Sequence, residues 1–234
     1  MKPLNLIASS PQAFGGEIRL LERDGTYHLE QGTEALDTSR ARLPVQRMVQ
    51  MACHPFKGAR QPRILIDGLN LGQVLHEVQT ALPQKGAELV LAEPKVDLPS
   101  WHRGPLADLY PGLLDDERIQ HQVISADEVA ANESKSLNLI LVSCLGIASE
   151  AANHPILTKK GMNLASGALK DGGLLAVVSD TRDDGFGKLL AKHGFQVVEE
   201  YSPPSENSKS KRLHPIWLAR KGFYVSQNRQ RSRH

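Results

Sequence analysis

The stretch Ile64–Leu75, ILIDGLNLGQVL, decides the fold. Ile64–Asp67 completes a short aliphatic run suited to a buried strand, and Gly68 and Gly72 lie four apart in the turn that follows. Apolar residues at Leu71, Val74, Leu75, Val78 and Leu82 then recur at spacings of three and four, the period of a helix packed on a sheet. A strand, a glycine turn and a helix form the opening unit of a doubly wound α/β sheet. Ligands of such sheets bind at the carboxyl ends of the strands, where a glycine turn lets backbone come close to a nucleoside. The G-x-N-x-G pattern is a degraded form of that signal, because Asn70 stands where a third glycine is expected. Asn tolerates left-handed backbone, so the turn itself survives. The same residues also make sense as a tight strand-to-helix turn with no ligand.

Downstream, short aliphatic runs alternate with helical stretches: ELVLAE, IQHQVI, LNLILVS, GLLAVVS, FQVVEE and IWLA, giving seven candidate strands with RILID. Near-continuous apolar runs such as Leu137–Val142 indicate strands covered on both faces, joined by right-handed crossovers. Gly172-Gly173 reads as the stop of the helix before GLLAVVS. Only a polar loop, SPPSENSKSKR, separates FQVVEE from IWLA, so these last two strands should pair as an antiparallel hairpin. The expected class is α/β: a Rossmann-like, mostly parallel seven-stranded sheet with an antiparallel C-terminal hairpin.

Upstream, Glu17–Leu29 holds two alternating segments around Asp24-Gly25, a hairpin dipeptide, and a connector helix is expected from Arg40 to His54, ended by Pro55. The expected division is residues 1–60 as a small β element with its connector, 61–223 as the α/β domain, and 224–234 as a basic tail.

Composition is that of an ordinary globular chain: 234 residues, 40% hydrophobic, about 48% apolar once glycine is added. No run reaches the roughly 18–20 apolar residues a bilayer span needs, and MKPLNLIASS is too weakly apolar for a secretory signal, so a cytoplasmic, non-membrane protein is expected. Cys53 and Cys144 occur outside any CxxC motif and are expected to be reduced thiols. His102, His154, His193 and His214 lack metal-site spacing, so no metal is expected. The net charge of +2 hides an asymmetry, since residues 207–234 carry eight basic side chains and no carboxylate, leaving the body at −6. Such a tail could meet nucleic acid, but it lacks stacking aromatics, and a solvated terminus is the plainer reading.

Two acidic residues extend the ligand reading. Glu93 ends the second strand, 21 residues after Gly72, where a carboxylate can accept from both hydroxyls of a ribose; a solvent-facing strand end is the alternative. Asp127 follows the third strand and could accept from an adenine amino group, although Ser125-Ala126-Asp127-Glu128 is equally a helix capping box. Cys144 beside Ser143 reads as an inert buried thiol rather than a nucleophile, Trp101 as a packing residue over the sheet edge or cleft, and Asp115-Asp116-Glu117 as a solvated face.

Residues 64–222 resemble the spermidine synthase family, a branch of the class I S-adenosylmethionine-dependent methyltransferase fold, and especially its methyltransferase-like members. The resemblance is carried by ILIDGLNLG, the strand end AEP, WHRGPLADLYPGLLDDERI, LILVS, ALKDGGLLAVVS, KHGFQVVEE and HPIWLARKG. It implies that Gly68, Asn70 and Gly72 line the methionine end of S-adenosylmethionine or its decarboxylated form, that Glu93 holds the ribose, that the adenine lies near Asp127, and that Ser143 sits at the edge of the site. It further implies a small-molecule nucleoside ligand and a homodimer formed through the N-terminal region.

The departures bear on activity. Where the family carries a G-G-G-D-G-G turn, this chain has Leu71 in place of the acidic residue. Where the family opens a D-S-T-D run, this chain has Ser143, and Pro44-Val45-Gln46 stands in place of a Tyr-His-Glu motif. A polyamine must be met by carboxylates and its attacking amine deprotonated by a base, and neither Leu71 nor Ser143 can do this. The expectation is a nucleoside-binding transferase fold with the aminopropyl-transfer residues lost. Methyl transfer to an unidentified acceptor and non-catalytic ligand binding are the alternatives.

Overall fold

The computed structural model describes residues 3–12, 16–40, 42–145, 154–208 and 212–222. Lys209, Lys211 and the whole basic tail fall outside this set, so the tail reading stays an expectation.

Four antiparallel strands come first: β1 (Asn5–Ser10), β2 (Ile18–Arg23), β3 (Thr26–Gln31) and β4 (Glu34–Thr38), paired in sequence order. The expected hairpin is β2–β3. Asp24 and Gly25 both adopt positive φ (51° and 75°), the pairing of conformations that lets a two-residue turn follow the strand twist. Strands β1 and β4 widen this element beyond the expected hairpin. Helix α1 (Arg42–Cys53) then leads into a 3-10 turn at His54–Phe56, with Pro55 ending the pattern as its sequence implies.

The main sheet has the order β10-β11-β9-β8-β5-β6-β7. Its members are β5 (Arg63–Asp67), β6 (Glu88–Ala92), β7 (Ile119–Gln122), β8 (Leu137–Cys144), β9 (Leu169–Ser179), β10 (Phe195–Ser202) and β11 (His214–Lys221). Strands β5 to β9 run parallel, and β11 slots antiparallel between β9 and β10. The polar loop before β11 is too short for a crossover helix, which leaves a hairpin as the only connection.

Alternation along each strand builds two cores. Ile64, Ile66, Leu139, Leu141 and Val178 face a layer formed by α1, α2 (Gln73–Ala81) and the buried Ile18, Leu20 and Leu29 of the N-terminal sheet. Leu65, Ile140, Val142, Val177 and Trp217 face α4 (Ala126–Ala131), α5 (Lys159–Ala168) and α6 (Phe186–Lys192). Both faces are therefore covered, which is why these strands read as unbroken apolar runs.

Two sequence expectations are corrected. Helix α5 ends at Ala168, and Gly172-Gly173 lies inside β9, where the register jumps between Leu137↔Leu169 and Leu139↔Leu174. Gly172 has φ 79° and a Cβ on Gly173 would meet the Lys170 and Asn138 carbonyl oxygens at 2.9 and 3.2 Å, so the pair serves a kink in the strand. Asp116 is not a freely solvated charge. It grips Arg118 at 2.6 Å and accepts from Gln79 at 3.1 Å, and the Arg118 guanidinium holds its carboxyl below the usual range.

Candidate functional site

In an open α/β sheet the crevice lies where successive strands depart in opposite directions. Here that point falls between β5, which continues to β6 and β7, and β8, which continues to β9. A cavity of about 290 Å³ opens there, at the lower end of the range for small-molecule sites. Its walls come from the strand ends: Asp67, Gly68 and Asn70 after β5, Pro94 and Lys95 after β6, Ser125 and Asp127 after β7, Ser143 at the end of β8, and the segment His154–Ile156. Gln31 and Leu36 of the N-terminal sheet close the remaining side.

The glycine turn is left-handed at three places, Gly68 (φ 80°), Asn70 (φ 44°) and Gly72 (φ 85°), so Asn70 does adopt the conformation a glycine would. The turn's amide hydrogens are largely spent inside the protein. Gly68 N–H donates to the Ala92 carbonyl (2.8 Å), Leu69 N–H to Glu93 Oε2 (2.7 Å), Leu71 N–H to Asp37 Oδ2 (3.0 Å) and Gly72 N–H to the Leu69 carbonyl (2.7 Å). His102 Nε2 lies 2.9 Å from the Asn70 carbonyl oxygen and must be the protonated nitrogen, since that oxygen only accepts. A loop whose donors are committed in this way is a poor cradle for phosphate.

Of the six residues singled out from sequence, the structure brings Gly68, Asn70, Asp127 and Ser143 to the cavity and places two behind it. Gly72 faces α3 (Leu98–Arg103) and the segment after it, where a Cβ would sit 2.8 Å from His102 Cε1 and 2.5 Å from Leu113 Cδ2. Glu93 is fully buried, its Oε1 accepting from Lys95 N–H (2.8 Å) and facing Lys95 Nζ at 3.6 Å. With Oε2 on Leu69, this carboxylate ties the glycine turn to the end of β6 and does not line the cavity. Asp127 is both a cavity residue and part of the first turn of α4, whose capping box is formed: Ser125 N–H and Oγ–H donate to Glu128 Oε2 at 2.9 and 2.6 Å. Cys144 is buried, its thiol pushed far up by desolvation and by the charges of Asp67 and Asp180, as an inert thiol should be. Trp101 is likewise buried in the core.

Sequence reading missed a set of carboxylates at the same edge. Asp67 ends β5, Asp180 follows β9, and Asp37 reaches in from β4. Asp180 faces His214 Nδ1 at 3.0 Å and Arg212 at 3.5 Å. Asp67 faces His154 Nδ1 at 3.4 Å, and burial pushes its carboxyl above the usual value. A strand-end carboxylate before a glycine turn was visible in ILIDG, but nothing in the sequence tied it to a histidine so far along the chain. Among the described residues no group of His, Cys, Asp and Glu has the geometry of a metal site.

Asp37 gives the edge a pH dependence. Burial raises its carboxyl to about 7, against the pull of the Leu71 and Thr38 N–H groups and with a further push from Asp180. A folded-state value above the unfolded one means that this group's contribution to stability is full below about pH 4 and is lost as pH rises through about 7. Asp37→Asn, which can still accept from Leu71, should therefore be more stable than the parent at pH 8, on the order of 2 kcal/mol, and nearly equal at pH 4. Urea denaturation at the two pH values checks this, and a gap independent of pH would contradict it.

With the fold and cavity in place, comparison with known proteins shows which solved structures share this fold. The sequence matches no protein-family model and no curated protein. The structure is similar to spermidine synthase from Thermotoga maritima (17% identity, TM-score 0.69, 93% of this chain and 72% of that one). It is also similar to a probable spermidine synthase from Corynebacterium glutamicum (15%, 0.62, 98% and 84%). A third similar structure is 1,6-didemethyltoxoflavin-N1-methyltransferase from Burkholderia thailandensis, solved with S-adenosylhomocysteine (16%, 0.55, 79% and 80%). At such identities the likeness is one of fold. The chain thus shares the fold of spermidine synthases and S-adenosylmethionine-type methyltransferases, here with a four-stranded N-terminal sheet joined to the seven-stranded one. Among the described residues no helix is long and apolar enough to cross a membrane.

Proposed function

We propose that the cavity at the β5–β8 divide takes the adenosyl part of S-adenosylmethionine or its decarboxylated relative, and that the chain is a transferase-fold protein acting with this ligand. The observation that carries the reading is the donor set. The turn amides are largely committed internally and the Ser125 hydroxyl donates to Glu128, so the polar side chains around the cavity are the carboxylates Asp67 and Asp127, the carboxamides Gln31 and Asn70, the Ser143 hydroxyl, Lys95 and the His154 imidazole. A polyanionic dinucleotide would meet few free donors and repulsive charge, whereas a nucleoside carrying a sulfonium would meet counter-charge. Asp127 beside Ala126 and Pro94 offers an acceptor and an apolar wall for a purine.

When bound, such a ligand supplies an activated alkyl group on sulfur. Methyl transfer is the reading favoured here, because it asks chiefly for proximity and alignment, and Asp180, which follows β9, faces Arg212 at 3.5 Å and does not line the cavity. Titration calorimetry with methylthioadenosine and S-adenosylhomocysteine tests the ligand assignment. Roughly micromolar binding of both is expected, about −8 kcal/mol, and absence of heat for either would overturn it.

A further inference from the structure

Around Asp67 the charges do not balance. Its Oδ2 is buried and makes no hydrogen bond, and the nearest cation candidate, His154 Nδ1, is equally without one, the two lying 3.4 Å apart. Glu93 and Asp127 add negative charge to this carboxyl's surroundings, and the one lysine among them, Lys95, lies closest to Glu93. Glu93 is satisfied by two amides and Lys95, and Asp127 is part-exposed in the first turn of α4, which leaves Asp67 Oδ2 as the buried oxygen of the three carboxylates without a hydrogen bond, where a desolvated charge requires a partner. Asp67 nonetheless lines the cavity, with 13% of its side chain still accessible. His154 lines it too, from a segment that is anchored by the His154 carbonyl accepting from Leu157 (2.8 Å) and Thr158 (3.1 Å).

We infer that Asp67 is the counter-ion for the cationic centre of the ligand, and that His154 is a stand-in partner that competes with that cation for the same carboxylate. This rests on the ligand reading above and deepens it by assigning the residue that tells a sulfonium from a thioether. Two consequences follow in opposite directions. Removing the charge at Asp67 should weaken the cation and spare the neutral thioether, while removing the imidazole should strengthen the cation. A residue that merely braced the cavity would move both ligands together and downward.

The test is calorimetric titration of the full chain with S-adenosylmethionine and S-adenosylhomocysteine. The parent should prefer the sulfonium by about tenfold, the scale of one charge-assisted contact. Asp67→Asn, nearly isosteric, should abolish that preference while changing S-adenosylhomocysteine affinity less than about threefold. His154→Gln should raise the preference by roughly threefold or more, and it keeps the inference testable should Asp67→Asn fold poorly. An unchanged ratio in either variant overturns the role of Asp67 while leaving the ligand assignment standing. A parent that binds neither compound overturns both.

Discussion

Glu93→Ala should cost the ligand-free protein about 3–4 kcal/mol and lower its melting midpoint by roughly 6–16 °C. The reason lies in what the carboxylate holds. Its two oxygens accept from Leu69 and Lys95 amides at 2.7 and 2.8 Å, it faces the Lys95 ammonium at 3.6 Å, and no part of the side chain reaches solvent. Truncation leaves two amide donors and a half-covered ammonium without acceptors, each a desolvation cost that water cannot repair in a closed interior. Glu93→Gln keeps one acceptor and should lose about half as much. Thermal and urea denaturation without ligand measure both. A parent-like midpoint combined with weakened methylthioadenosine binding would mean instead that the carboxylate swings from Leu69 to grip a ribose, the role its place in the sequence suggested.

That contrast shows how far the sequence could be read. The strand-end position of Glu93 was legible because ELVLAEP ends a β-run with a proline, but whether its oxygens face a ligand or the neighbouring turn depends on backbone that only folding brings near. The same holds for Asp67, whose partner His154 comes from beyond β8, and for Asp37, whose bond to Leu71 joins the two sheets. Parallel strands were plain in LNLILVS, since burial on both faces leaves an unbroken apolar signature. Strands β1 and β4 were not, because NLIASS and EALDT are half-exposed and carry no clean alternation. Gly172-Gly173 misled for a related reason: a glycine pair marks a break in regular structure, and sequence alone does not say whether a helix ends there or a strand kinks.

Gly161 supplies the other large effect, and it links packing to the cavity. A Cβ at this position in the first turn of α5 would lie 2.2 Å from the Pro155 carbonyl oxygen and 2.5–2.6 Å from backbone atoms of Ile156. These neighbours are main chain, which cannot rotate away, and the turn is pinned further by Gly161 N–H donating to Thr158 Oγ1 at 3.1 Å. Gly161→Ala must therefore push α5 away from residues 155–156, which form one wall of the cavity beside His154. The expected cost is about 2–4 kcal/mol of stability, with methylthioadenosine affinity falling at least tenfold as the wall moves. Gly167→Ala, on the same helix with no atom within 4 Å of the added methyl, is the matched comparison. There the change only restricts the unfolded chain and should stabilise by about 0.4–1 kcal/mol without touching binding. Opposite signs for one substitution at two positions of one helix would locate the effect in the contact with the cavity wall; equal small effects would show that α5 and the 155–156 turn can part without disturbing the site.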